Sequence, residues 1–273
     1  MSDEATSAGK STRWHQDHDA LAHELRSWFT NSSPEIAYEV TQHWYGFLSN
    51  PEGPIGPRLT LNIDDPSRVA AALLEAGSSC GGQVLTVWVD DRERWAQLDG
   101  TLQVAGCRPV KATTHLALVG SLKLQPGPLN LHIEDVDDEH LEEWAITKIK
   151  CFDDREEQPS RERITAEMST RRAEMALAKL QLARLDAEPV GVVAFYAGSD
   201  QLVFNLGTRV PFRHRGIAQQ MLARWVEEGV KRNCRSLIIN ADDPGKPQEL
   251  YRKMGFVDEI YWYQRYEFDT VDS

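Results

Sequence analysis

Val210-Pro-Phe-Arg-His-Arg-Gly-Ile-Ala218 stands between an apolar run, Leu202-Val-Phe-Asn-Leu206, and a run in which Ile217, Met221, Leu222, Trp225 and Val226 recur at three- and four-residue intervals. The first run is bounded by Ser199, Asp200 and Gly207 and reads as a buried strand. The second, with Gln219, Gln220, Arg224, Glu227 and Glu228 in the remaining positions, reads as a helix with one buried face. A strand that feeds a loop and then a helix N-terminus leaves backbone N–H groups pointing out of the helix end, where the macrodipole also favours negative charge. An anion fits there. Gly216 and the small Ala218 let phosphate oxygens come close to the backbone, and Arg213 and Arg215 add donors matched to phosphate. The loop therefore reads as a diphosphate cradle. It is neither the three-glycine dinucleotide fingerprint nor a P-loop, which ends in Gly-Lys-Ser/Thr.

Downstream, Ser236-Leu-Ile-Ile-Asn240 is a second strand-like run, and Gln248-Glu-Leu-Tyr-Arg-Lys-Met-Gly-Phe256 follows the turn-rich Asp243-Pro-Gly-Lys-Pro247. Arg213-x-x-Gly216-x-Ala218 resembles the Q/R-x-x-G-x-G/A motif of the GNAT superfamily of acyl-CoA-dependent N-acyltransferases. Tyr251, Gly255 and Phe256 stand at the spacing of that family's Tyr-x-x-x-Gly-Phe segment. The resemblance implies a mixed central sheet flanked by helices over about residues 128–273, with Leu129–Ile133 as its opening strand. It implies further that the strand before the cradle splays from its neighbour, so that the backbone at Thr208, Arg209 and Val210 pairs with the pantetheine arm of acetyl-CoA. The diphosphate then falls to Arg213, His214, Arg215, Gly216, Ile217 and Ala218. Tyr251 matches the usual general acid for the departing thiolate, and a packed helix tyrosine is the other reading of the same residue. Asn240 matches a polar position near the cofactor at the end of its strand. No general base is assigned. The sequence departs from the family at Asp243–Pro247, which leaves the adenine contacts unassigned.

Leu180–Leu185 and Val190–Tyr196 flank Asp186-Ala-Glu-Pro189 and read as a hairpin, and 160–178 reads as a helix. The earlier half shows a weak echo of the later one. Leu59–Ile63 and Gln83–Val89 read as strands, Ser67–Ala76 and Arg92–Val104 as helices, and Val110–Val119 as an extended run. Gly106 falls where Gly255 stands in the later half, with Leu102 opposite Tyr251. The loop Asp64-Asp-Pro-Ser67 offers carboxylates where a cradle would offer donors, and these would repel phosphate. Residues 13–127 are thus expected to be an α/β domain, either a degenerate GNAT-like unit that has lost the cofactor site or an unrelated fold. Residues 1–12 are small and polar, the composition of a disordered tail. His15, His18 and His23 form a cluster without an evident fourth ligand, read as a solvated helix in preference to a metal site.

Thirty basic residues against forty-two acidic ones give a net charge of −12, which argues against nucleic acid or an anionic membrane as a partner. The run from Glu134 to Glu143 either steers a cationic amine or forms a solvated face. The four cysteines show no metal spacing, no signal-peptide pattern opens the sequence, and no apolar run reaches the length of a membrane span; the expectation is a cytoplasmic protein with free thiols and no metal. The expected function is transfer of acetyl from acetyl-CoA to a primary amine of a small molecule, with the acceptor in the groove between the two halves. A non-catalytic acyl-CoA-binding module and a protein N-terminal or lysine acetyltransferase are the alternatives, and a homodimer is left open.

Overall fold

The computed structural model describes residues 38–41, 44–47, 57–175, 178–197 and 201–270. The histidine cluster at 15–23 and the tail at 1–12 lie outside the described residues. The chain divides into two compact units, one comprising Met1–His115, Asp242–Pro244 and Glu259–Ser273, the other Leu116–Ala241 and Gly245–Asp258.

In the first unit, β1 (Tyr38–Val40), β2 (Trp44–Phe47), β3 (Arg58–Leu61) and β4 (Val84–Val89) are neighbours in that order, and β4 then pairs antiparallel with the end of a long C-terminal strand, Gln264↔Val89 to Asp269↔Val84. The helices are α1 (Val69–Ser78) and α2 (Arg92–Val104). Leu85, Val87 and Val89 alternate onto the face that packs against Leu73, Ala76, Leu98 and Leu102, as a half-covered sheet requires. Asp65, one of the two carboxylates in the loop compared with a cradle, is a cap: its side chain accepts from the Ser67 N–H at 3.0 Å and the Ser67 hydroxyl at 2.7 Å.

The second unit opens on the end of β5 (Arg108–Leu118) and continues as β6 (Leu131–Asp135), α3 (Leu141–Asp153), α4 (Arg161–Glu174), β7 (Ala178–Leu185), β8 (Glu188–Ala197), β9 (Gln201–Thr208), α5 (Ile217–Lys231), β10 (Leu237–Asp243), α6 (Lys246–Met254) and the start of β11 (Phe256–Asp269). The expected order of strand, helices, three strands, cradle, helix, strand, helix, strand is observed. β6 to β9 are antiparallel and sequential, and β10 joins β9 in parallel after α5, which gives a mixed sheet. The β7–β8 turn places Asp186 and Ala187 at φ 51° and 71°, the left-handed pair that a two-residue hairpin demands. β8 is central and buried on both faces, so Val190 and Val192–Phe195 are all at 0 % exposure. Ile217, Met221, Leu222 and Trp225 of α5 are buried against Val193, Phe195, Val203 and Ile239, which fixes the helix and its first turn on the sheet.

α3 is the element the sequence analysis did not place by residue. Its apolar residues Leu141, Trp144, Ala145 and Ile149 fall at helical spacing and are buried, but the helix opens inside the acidic run Glu134–Glu143, which had been read for charge alone.

Candidate functional site

The site begins where two strands part. β10 pairs with β9 over Leu237↔Gln201, Ile238↔Leu202 and Ile239↔Val203, and the ladder ends there, although both strands continue. On its other side β9 stays paired with β8 as far as Gly191↔Thr208. The register between β8 and β9 shifts at Ala194/Phe195, so that Asn205 and Val203 face consecutive residues and Phe204 is the extra one. An extra residue bends its strand and increases its twist, and the bend carries β9 away from β10. Past Val203 the backbone edge of β9 that faces β10 has lost its ladder, leaving amide groups that an extended, amide-bearing chain can pair with. Asn240 is the first residue of β10 beyond the last pair, and is half-buried at the root of this wedge.

β9 runs into a 3-10 turn at Val210–Phe212, where the Phe212 N–H donates to the Arg209 carbonyl at 2.9 Å. The chain then reverses through His214 at φ 62° and Gly216 at φ 78°. Gly216 is the N-cap of α5 and brings no side-chain acceptor, so the first turn of the helix points its N–H groups outward uncapped. A side chain at Gly216 would be strained by the left-handed backbone and would also meet the Pro126 carbonyl oxygen at 3.1 Å. The Gly216 carbonyl accepts the first helical bond, from the Gln220 N–H at 3.1 Å. Ile217 is buried and Ala218 half-buried in that first turn. An uncapped helix N-terminus entered through a left-handed glycine fits a diphosphate.

The arginines take parts that the sequence does not reveal. Arg213 Nε donates to the Thr208 carbonyl at 3.0 Å, its Nη2 donates to the Cys151 carbonyl at 2.9 Å, and the same group pairs with Asp154. Arg209 pairs with Glu156, with Glu188 at 2.9 Å, and donates to the Pro189 carbonyl at 2.6 Å. Burial opposes the Arg209 charge, but the Glu156 and Glu188 carboxylates outweigh it and hold its pKa above the ordinary arginine value. Both guanidiniums tie the cradle to its surroundings, Arg213 to the end of α3 and Arg209 to the loop after it and to the start of β8. Arg215 and His214 are exposed, and the Arg215 guanidinium lies over the Phe212 ring at 5.4 Å. Arg215 is thus the cradle arginine that faces solvent.

Tyr251 lies on α6 and is buried, at 6 % exposure, with its ring edge-on to Phe256 at 6.4 Å. One turn later Gly255, at φ 113°, ends the helix by donating its N–H to the Arg252 carbonyl at 3.2 Å. A Cβ there would meet Leu118 Cδ1 at 3.2 Å and the Ser121 carbonyl oxygen at 3.3 Å, so two constraints call for glycine at this point of the Tyr-x-x-x-Gly-Phe segment. Lys246 is exposed at the start of α6.

The acidic run is largely spent in pairs. Glu134 and Glu143 both hold Arg184, at 2.6 and 2.5 Å, Glu142 pairs with Arg161, Asp137 with His140 at 2.6 Å, and Asp138 with Arg172 at 3.2 Å. The Arg184 partnership holds the Glu143 carboxyl below its usual range. A face whose carboxylates already carry their own cations attracts an amine weakly, and the solvated-face reading is the one the geometry favours.

With the geometry in hand, the chain can be set beside known proteins. The family model described as Acetyltransferase (GNAT) domain matches residues 178–258, which is the stretch from β7 through the cradle to the start of β11. No curated protein matches the sequence. Among solved structures, a functionally unknown conserved protein from Staphylococcus epidermidis is similar with TM-score 0.65 at 12% identity, covering 89% of this chain and 98% of its own. A GCN5-related N-acetyltransferase from Kribbella flavida is similar with TM-score 0.61 at 17% identity, covering 90% and 95%. A tandem GNAT protein from the clavulanic acid biosynthesis pathway gives TM-score 0.57 at 13% identity, covering 85% and 80%. At such identities the likeness is one of fold, and it extends beyond the matched stretch into the first unit. Residues 178–258 thus carry the sequence of a GNAT acetyltransferase domain, in a chain whose fold is that of GNAT proteins.

Proposed function

We propose that the protein is an acetyl-CoA-dependent N-acetyltransferase acting on a primary amine of a small molecule. The observation that carries this reading is the pairing of the β9/β10 wedge with the uncapped, glycine-entered N-terminus of α5 at the end of the same strand. One element offers unpaired main-chain groups for the pantetheine amides; the other offers N–H groups for the diphosphate. Acetyl-CoA would supply the acetyl group as a thioester. On the protein's side, the edge of β9 from past Val203 to Thr208 aligns the arm, the turn Gly216–Ala218 holds the diphosphate, Arg215 adds a solvent-side cation, and Asn240 stands at the root of the wedge. As the acceptor nitrogen attacks the carbonyl carbon and the carbon–sulfur bond breaks, the Tyr251 phenol gives its proton to the departing sulfur, and the nitrogen loses a proton to water.

Among the described residues no helix is long and apolar enough to cross a membrane, and Cys80, Cys107, Cys151 and Cys234 form no disulfide there, which suits a reducing, cytoplasmic setting. A second reading, a GNAT-fold module that binds acyl-CoA without turnover, is favoured by one observation: Tyr251 is packed in the core. The two readings separate in a thiol-release assay with acetyl-CoA and a panel of primary amines. Amine-dependent thiol release supports the enzyme; binding of acetyl-CoA with no release for any amine supports the module.

A further inference from the structure

The segment between β5 and β6 packs along the first turn of α5. It leaves β5 over the C-terminal cap of α6, where the Val119 N–H donates to the Gly255 carbonyl at 3.0 Å and the Lys123 N–H to the Met254 carbonyl at 2.9 Å. Leu122 packs into the core beneath. The strap then reaches α5, where the Gln125 N–H donates to Gln219 Oε1 at 2.9 Å and Gln220 Nε2 returns a bond to the Gln125 carbonyl at 3.1 Å. Gln219 is 8 % exposed, so its amide is committed to this contact in a largely dry place, where a lost partner is costly. Next, Pro126 and Gly127 lie against Gly216: the Cβ position of Gly216 is 3.1 Å from the Pro126 carbonyl oxygen and 3.5 Å from Gly127 Cα. Gly127 is itself closed in, since a Cβ on it would fall 2.3 Å from Gln220 Cγ. Backbone faces backbone across two glycines, beside the uncapped helix end.

We propose that the strap from Val119 to Pro128 is the side wall of the diphosphate seat, and that Gln219 is the positioning residue that holds it there. The inference rests on the reading of the α5 N-terminus as that seat. A wall of main chain against Gly216 fixes the left-handed entry to the helix and keeps water from one side of the outward N–H groups, so that the anion finds them already oriented. Displacing the strap therefore weakens the ligand that carries a diphosphate and spares one that does not.

The test measures the affinity of the full chain for acetyl-CoA and for S-acetylpantetheine, which lacks the diphosphate and nucleotide, in Gln219→Met and Gly127→Ala. Gln219→Met keeps length and removes the acceptor; Gly127→Ala sets a Cβ against Gln220 Cγ and so pushes the strap off the first turn of α5. The expected result is a loss of acetyl-CoA affinity of about fivefold or more in each, the scale of one lost hydrogen bond, with S-acetylpantetheine unchanged and kcat at saturating acetyl-CoA within about twofold. Equal loss for both ligands would make the strap a general structural support, and no loss for either would remove it from the site; both results overturn the proposal. Failure of the wild-type chain to bind acetyl-CoA would instead strike the acetyltransferase reading itself, before any strap variant is compared.

Discussion

At the residue scale, the site separates groups that are positioned from groups that position. Arg213 was expected from its motif to donate to phosphate, yet its guanidinium is spent on the Thr208 and Cys151 carbonyls and on Asp154. Cys151 and Asp154 lie some sixty residues earlier in the chain, so nothing in the local motif announces them; the loop and helix start at Gly216 were legible because they are local objects. Arg213→Gln and Asp154→Asn should each lower stability, the arginine change by about 1 kcal/mol for its carbonyl bonds, and the double variant should lose less than the sum. Chemical denaturation of the four proteins measures this; additive losses would show that the two do not act together. In the proposed reaction Tyr251 would protonate the departing sulfur. Tyr251→Phe keeps the ring that packs edge-on against Phe256 and removes the hydroxyl, so the acetyl-transfer rate should fall about a hundredfold while acetyl-CoA affinity holds. Equal rates in the two proteins would leave Tyr251 a packing residue.

At the element scale, the parts that periodicity governs were legible and the parts that long-range contacts govern were not. The helix read over Arg92–Val104 is observed over those residues, and the hairpin around Asp186 and Ala187 follows from its turn. α3 was hidden because its apolar residues are diluted by Glu142, Glu143 and Asp153, which serve ion pairs. The parting of β9 from β10 was implied by resemblance alone; its physical cause, the extra residue Phe204, is a register fact that no single strand displays. The strap was equally silent, since its partners on α5 are distant in sequence. By contrast, Gly255 combines a sequence signal with a structural necessity. Gly255→Ala should cost about 1–3 kcal/mol, from the left-handed φ and the approach of Leu118, and an unchanged unfolding midpoint would contradict that account of the α6 cap.

At the scale of the whole molecule, the chain builds two compact units from interleaved segments, with Asp242–Pro244 and Glu259–Ser273 joining the N-terminal residues. The sequence reading drew one division at residue 127, since strands recruited from the far end carry no mark of their destination. Burial also sets the reactivity of the thiols. It pushes Cys107 and Cys151 up to about 12, so both stay protonated at pH 8, while Cys234 is half-buried. Titration of the native protein with a chromogenic disulfide should modify Cys234 first, and fast reaction of Cys107 or Cys151 would contradict their burial. The central claim is that the N-terminus of α5 seats the diphosphate of acetyl-CoA. Its most direct test is calorimetric titration of the chain with acetyl-CoA beside Ala218→Glu, a change that suits a helix first turn but sets a carboxylate against the anion. The account predicts binding by the wild type and its loss in a folded variant; equal binding by both, or none by the wild type, would contradict it.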